Sequence, residues 1–293
     1  MRAIFSGGDF FEGSRWHEGA WWVSDIFGGK VLRISQDGCA TTIAEVEHWP
    51  TGLGWLPDGD LLIVSLKDRR LLRRGREGGL SVHADLSTLT PYWLNDMVVD
   101  RKGRAYVGNM GVDLVGGGNP APTTLCRVDP DGSVDVAATD LYYPNGMAVT
   151  QDGHTLIVGE SLGNRMSAFT IEDDGRLTNR RVWAQFAPTP DPATLTMSLL
   201  HQMDFAPDGC AVDRQDRLWI ADASNDRLCH VAEGGEIIRE IPAPAGFHVF
   251  SCALGGADGC SLLICAAPSI DPVETRGRAT LFVETVEATT DES

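Results

Sequence analysis

"YYPNGMAVTQDGHTLIVGES", residues 142–161, holds two short apolar runs joined by an Asp-Gly turn, with Asn145 at the mouth of the first run. Alone it is a β-hairpin, since Asp-Gly between alternating hydrophobic residues is a strong short-range hairpin signal. It decides the fold because the unit recurs. The copies are "FEGSRWHEGAWWVSD", "TGLGWLPDGDLLIVS", "NDMVVDRKGRAYVGN", "NGMAVTQDGHTLIVGE", "DGCAVDRQDRLWIAD" and "FSCALGGADGCSLLICA". Glu12, Thr51, Asn95, Asn145, Asp208 and Phe250 fall at equivalent positions. Their steps of roughly 40–60 residues have the size of a propeller blade.

A third strand follows each pair, as in "GGKVLRIS" and "DRLCHVAE", and a fourth follows in most copies, as in "CATTIAEV" and "EIIREIP". Four antiparallel strands per repeat, with polar turns and no convincing helix pattern, predict an all-β six-bladed β-propeller. The last repeat stops after three strands. "RAIFSG" at Arg2–Gly7 is expected to supply its fourth, joining the chain's two ends and closing one domain over 1–293. Two stretches break the alternation, "VDLVGGGNPAPT" (112–123) and "APTPDPATLTMSLLHQMDFAP" (187–207), and read as long loops beside the repeat starts.

Composition narrows the function classes. With 24 Lys+Arg against 41 Asp+Glu the formal charge is −17, which disfavours nucleic acid or an anionic membrane as partner. No apolar run approaches the roughly 18 residues of a membrane span, and the N-terminus lacks a signal-peptide core, so a cytoplasmic location is expected. The seven cysteines form no C-x-x-C pair, and most lie in strand-like stretches. Reduced, packed thiols are the expectation, Cys210 included.

In a propeller the first strand of each blade lines the channel. Glu12, Asn95, Asn145 and Asp208 would therefore converge from four blades. Two carboxylates and two amides make an oxygen-rich cage suited to one divalent cation, calcium first, with magnesium, manganese or zinc as alternatives. Each residue could instead cap a turn. A common offset in four repeats favours the cage.

The motifs "EGSRWHEGAWWVSD", "LNDMVVDRKGRAYVGNM", "YPNGMAVTQDGHTLIV" and "PDGCAVDRQDRLWIAD" resemble those of the gluconolactonase and regucalcin (senescence marker protein) group of six-bladed propellers, over nearly the whole chain. The resemblance implies metal ligation by Glu12, Asn145 and Asp208, with Asn95 beside metal and substrate, and activity on sugar-acid lactones. It also marks departures. Trp93 stands where sugar-lactone members often carry an Arg, and Asp113 where an acidic substrate contact is often found. An indole in place of a guanidinium favours flatter, less polar substrates. Tyr92, Tyr142, Tyr143, Met197, Phe247 and Phe250 are candidate wall residues.

The expected chemistry is metal-assisted hydrolysis of a small-molecule cyclic ester, with Asp208 as general base. Asn95, Trp93, Asn109, Asp113, Tyr143 and His201 are the candidate substrate contacts, and His248 is a further rim histidine. No Gly-x-Ser-x-Gly elbow occurs, and "GGGN" at Gly116 precedes no helix pattern. Two other readings share the metal: a phosphotriesterase-like hydrolase, and a non-catalytic calcium-binding scaffold. Oligomeric state is not legible.

Overall fold

Alternating apolar and polar residues sort the chain into strands that pair with their sequence neighbours. The computed structural model describes residues 1–286, apart from the side chain of His201; the rest of the expected 1–293 span lies outside the described residues. Six four-stranded antiparallel sheets form the blades of a six-bladed β-propeller. Their innermost strands are Phe11–His17, Pro50–Trp55, Leu94–Val99, Pro144–Val149, Pro207–Val212 and His248–Gly255. The sixth sheet takes its outer strand from the N-terminus, as the sequence predicts. Arg2–Gly8 pairs antiparallel with Ala279–Thr285, Arg2 opposite Val283 and Gly8 opposite Ala279.

The Asp-Gly turns reverse the chain as local chemistry requires. In the 144–160 hairpin the Gly153 N–H donates to the Thr150 carbonyl at 2.9 Å, with φ of +80°. Glycine adopts that backbone without a Cβ clash. Asp152 Oδ1 fastens the same turn by accepting from the His154 N–H at 2.9 Å.

Neighbouring blades pack through apolar layers. Leu62, Val64, Met97, Val107 and Cys126 fill the space between the second and third blades, each buried aliphatic chain contributing about 1.5–3 kcal/mol over its exposed state. All seven cysteines are free, and five of them, Cys210 among them, are buried. Burial pushes the Cys210 thiol up to about 12, the behaviour of a packing group. No helix among the described residues is long and apolar enough to cross a membrane.

The 187–207 insert is a loop holding two short 3-10 turns, Pro192–Thr194 and Met197–Gln202. Its Leu195, Met203 and Ala206 pack with Leu162, while Tyr142, Tyr143, Leu199 and Leu200 flank them. The insert therefore lies over the strand heads that carry Asn145 and Asp208.

Candidate metal centre

Each inner strand begins with a regular pair and then breaks register. Pro144 opposes Glu160 and Met147 opposes Val158, so Asn145 and Gly146 together face one residue, Gly159. Leu94 opposite Asn109 followed by Met97 opposite Val107, and Pro207 opposite Asp222 followed by Cys210 opposite Ile220, repeat the pattern. In the first blade the shift falls between Glu12 and Arg15. A bulge of this kind inserts one residue and re-aims the adjacent side chain. It takes Asn95, Asn145 and Asp208 out of the sheet's alternation.

The residue after each site position sets how closely the strands approach. A Cβ on Gly146 would lie 2.1 Å from the Asp208 carbonyl oxygen, and one on Gly13, at φ +58°, would lie 2.2 Å from that of Thr51. Neither position has room for a side chain. Neighbouring strand heads are thus drawn together around the axis.

Asn145 Nδ2 donates to Asp208 Oδ1 at 2.5 Å and to Ser161 Oγ at 3.2 Å. Ser161 Oγ in turn donates to the Pro207 carbonyl at 2.6 Å, so the fourth and fifth blades are laced together there. Asn95 Nδ2 reaches the Pro144 carbonyl only at 3.5 Å. Glu160, fully buried, fixes the head of the fourth inner strand by accepting from the Tyr142 N–H at 2.9 Å and pairing with Arg165 and Arg180 at 2.8 and 3.0 Å.

Glu12 and Asp208 share one field. Burial, then the charges of Asp208 and Asp96, push the Glu12 carboxyl well above the usual range. Burial also drives Asp208, up to about 8, with the charge of Asp96 adding to the rise and the bonds from Asn145 and the Gly209 N–H opposing it. Tyr143 is held protonated by burial and by the charges of Asp208 and Glu12. Its backbone sits at φ +61°, a costly region for a bulky residue.

Two residues outside the sequence-derived set adjoin these groups. Arg15 Nη2 donates to Asp96 Oδ1 at 2.9 Å and to the Met97 carbonyl at 2.5 Å. Asp96 Oδ2 is buried without a hydrogen-bond partner. The repeat alignment carries the signal for both. Where other copies have Gly or Ser after the site position, the third has Asp96; three places after it, where others have Gly, Val or Ala, the first has Arg15.

An aromatic collar precedes the strand heads. Phe10, Trp49, Trp93 and Tyr143 each stand two residues before the site position of their blade. Phe250, Phe10, Phe27, Trp49 and Trp93 form a continuous arc, with successive ring centroids 4.6, 5.1, 5.0 and 5.9 Å apart. Sequence reading finds Trp93, Tyr143 and Phe250 but misses Phe10 and Trp49, which share the offset.

The remaining predicted contacts are not drawn into this cluster. Asn109 is fully buried: its Nδ2 donates to the Thr124 carbonyl at 2.7 Å, and its Oδ1 accepts from Thr123 Oγ1 at 2.7 Å and the Gly111 N–H at 3.1 Å. Its amide is consumed in bracing the strand end that pairs with Leu94. Asp113 is exposed, and its Oδ1 caps a turn of the first insert by accepting from the Val115 and Gly116 N–H groups. The His201 side chain lies outside the described residues. His248 Nδ1 pairs with Asp226 Oδ1 at 2.6 Å. A large cleft, about 1020 Å³, opens instead beside Trp219, Arg217 and Gly256, between the fifth and sixth blades, and it contains none of the cage residues.

The cage fits a hard divalent cation. Among the described residues no three His, Cys, Asp or Glu gather for a metal; the set mixes two carboxylates with amides, the oxygen chemistry that calcium and magnesium prefer. Two adjoining carboxylates are forced toward the protonated state, and a third, Asp96, has an orphaned oxygen. A bound dication would relieve that field.

Residues 10–268 match the profile of the SMP-30/Gluconolactonase/LRE-like region. The chain is 27% identical over 261 residues to pentonolactonase XacC of Haloferax volcanii, covering 87% of this chain and 81% of that protein. It is 26% identical over 234 residues to lactonase drp35 of Staphylococcus epidermidis, covering 78% and 67%. The structure of a gluconolactonase from Xanthomonas campestris superposes with a TM-score of 0.73 at 24% identity, over 97% of this chain and 88% of that one. Regucalcin of Agrobacterium tumefaciens, described as a calcium-binding protein, gives 0.75 at 19% identity, over 99% and 97%.

Proposed function

The chain belongs to the SMP-30/Gluconolactonase/LRE-like family, and from that premise we propose that it is a divalent-metal-dependent hydrolase that opens a lactone with an apolar or aromatic body. The observation that carries this reading is the meeting of Glu12, Asp208 and the Asn145 amide at three strand heads, with both carboxyls forced toward protonation by burial and by neighbouring carboxylates, Asp96 beside both and Asp208 beside Glu12. The relatives are named for lactone chemistry, one of them for pentonolactones. Trp93 and the collar argue for a less polar ring here.

When bound, a divalent cation supplies Lewis acidity toward the lactone carbonyl and toward water. Glu12, Asn145 and Asp208 would hold it through oxygen, with Asn95 adjoining. Asp208 takes the proton from the attacking water, a role open to a carboxylate placed at the strand heads beside Asn145 and Glu12. Asn95, whose Nδ2 makes only a 3.5 Å contact, is free to donate to a substrate oxygen. The Tyr143 hydroxyl, kept protonated by its surroundings, donates to charge developing on the ester. Trp93 and Trp49 receive the body of the lactone and exclude water from it.

The test is a parallel screen of sugar, alkyl and aromatic lactones with calcium, magnesium, manganese or zinc, and with chelator. Chelator-sensitive ring opening that favours the alkyl or aromatic members is expected. Turnover indifferent to chelator would remove the metal from the reading, and a preference for sugar lactones would remove the apolar substrate. Cleavage of organophosphates with no lactone turnover would replace the reaction class.

A further inference from the structure

Lys67 is one of three lysines in the chain, beside Lys30 and Lys102. Its backbone is tied to the mouth of the channel on both sides. The Lys67 N–H donates to the His48 carbonyl at 3.1 Å, the Leu66 N–H to the Trp49 carbonyl at 2.9 Å, and the Leu94 N–H to the Leu66 carbonyl at 3.1 Å. The residue is therefore anchored to the strand heads that carry Thr51 and Asn95. Its Nζ stands 3.0 Å from the centre of the Trp49 ring and 5.6 Å from that of Trp93.

No carboxylate among the described residues pairs with this ammonium. Its neighbour Asp68 is engaged by Ser65 Oγ at 2.5 Å and by Arg70 at 3.6 Å, whereas Lys102 has Asp173 at 3.1 Å. The indole faces attract the cation but accept no strong hydrogen bond, so the half-buried ammonium keeps its N–H donors available to a ligand. Burial against the rings draws the amine below its usual range, a mark of a desolvated charge. Trp49 itself is held at φ +70°, an unfavourable conformation that puts the indole under the amine.

Taking the lactonase reading as its basis, we propose that Lys67 is the specificity anchor of the site: the lactone carries a carboxylate on its apolar body, and Lys67 binds that carboxylate above the Trp49–Trp93 corner. The charges agree with this. A dication would match Glu12 and Asp208, and Arg15 matches Asp96, which leaves Lys67, over Trp49 and Trp93, as a positive charge without a carboxylate partner among the described residues. Trp93 stands two residues before Asn95, where the resemblance implies an Arg; Lys67 places a cation over the rings of Trp49 and Trp93 instead. The substrate selected is an anionic lactone whose charge and carbonyl are separated by a flat apolar body.

The experiment compares 5-carboxyphthalide with its methyl ester, in calcium-containing buffer, on the wild type, Lys67→Met and Lys67→Arg. Lys67→Met keeps the apolar stem over the indoles, and Lys67→Arg keeps the charge. The wild type should favour the carboxylate, and Lys67→Met should raise its KM about tenfold, the scale of one charge-assisted contact. The ester's KM should stay unchanged, and Lys67→Arg should retain the preference. Equal changes for both substrates, or none for either, overturn the anchor while leaving the hydrolase intact. Calorimetric titration of the ring-opened dicarboxylate separates the two claims. If the wild type opens neither lactone but binds the dicarboxylate in a Lys67-dependent way, the anchor stands and the lactonase reading falls; absence of that binding overturns the anchor.

Discussion

Asn145 Nδ2 donates to Asp208 Oδ1 at 2.5 Å, so an amide of the fourth blade is spent on a carboxylate of the fifth. Asp208 Oδ1 is thereby occupied by the amide nitrogen. A half-turn of the amide about its last torsion would present Oδ1 instead. Cation binding and this hydrogen bond are alternatives at one place.

Asn145→Ala removes the switchable oxygen and leaves Asp208 without its closest donor. Calcium affinity should fall by at least the roughly 10- to 100-fold that losing an outer-shell partner costs. Isothermal titration with calcium checks it; an unchanged affinity would take Asn145 out of the ligand set.

Asp208→Asn separates stability from function. An amide at this position still accepts from Asn145, yet it removes one of two mutually repelling acids. The cation-free protein should gain roughly 1–3 kcal/mol, read by denaturant unfolding, while ring opening falls to background. The sign follows from linkage. The folded value of Asp208, about 8, lies above its ordinary 3.8, so its contribution to stability is full below 3.8 and is lost as pH rises through 8. The variant's advantage should therefore grow from acid toward pH 8.

Proton release should accompany cation uptake. Below about pH 8 Asp208 carries a proton in the cation-free site, and ligation requires the carboxylate. Calcium binding at pH 7 should release protons, seen as an enthalpy that depends on the buffer's ionisation heat. Affinity should rise with pH as Asp208 and then any proton still held by Glu12 are released. A pH-independent affinity would contradict the shared field of Glu12 and Asp208.

Arg15→Met strands Asp96. Losing one member of a buried ion pair typically costs about 3–5 kcal/mol, and the raised field should push Glu12 and Asp208 further toward protonation. Adding Asp96→Asn should restore much of the stability. Thermal unfolding of the two single variants and the double variant measures the coupling; additive losses would mean the 2.9 Å contact is energetically idle.

Trp93→Arg replaces part of the apolar collar with a planar donor fork. Turnover of sugar lactones should rise relative to aromatic ones, measured as the ratio of kcat/KM. No change in that ratio would remove Trp93 from the substrate wall.

The blades were legible because each repeat writes the same strand, turn and strand with Asp-Gly between them, and because Arg2–Gly7 supplies the missing strand. The shared offset picks out Glu12, Asn95, Asn145 and Asp208; of these, Asn145 and Asp208 are joined by a hydrogen bond, Glu12 lies in the field of Asp208, and Asn95 contacts the Pro144 carbonyl. What period alone conceals is the bulge at each strand head, since a register shift leaves no residue type of its own. Asp96 and Arg15 were visible as two anomalous columns, but their partnership is a fact of distance across blades. Asn109 and Asp113 were the opposite case. Each is a polar residue beside the site in sequence whose hydrogen-bonding capacity is taken up locally.

The pairing of Arg2–Gly8 with Ala279–Thr285 also sets the order of events as the chain folds. Every other blade can assemble from residues close in sequence, but the sixth must bring together segments from opposite ends, at the largest loop-closure cost in the molecule. The Arg2–Gly8 strand is made well before Ala279–Thr285 and has no partner in its sheet until that segment follows. Until then the sixth blade keeps an unpaired edge open to intermolecular strand addition, and truncating Arg2–Gly8 should show itself as slow refolding and aggregation before any loss of metal binding is detected.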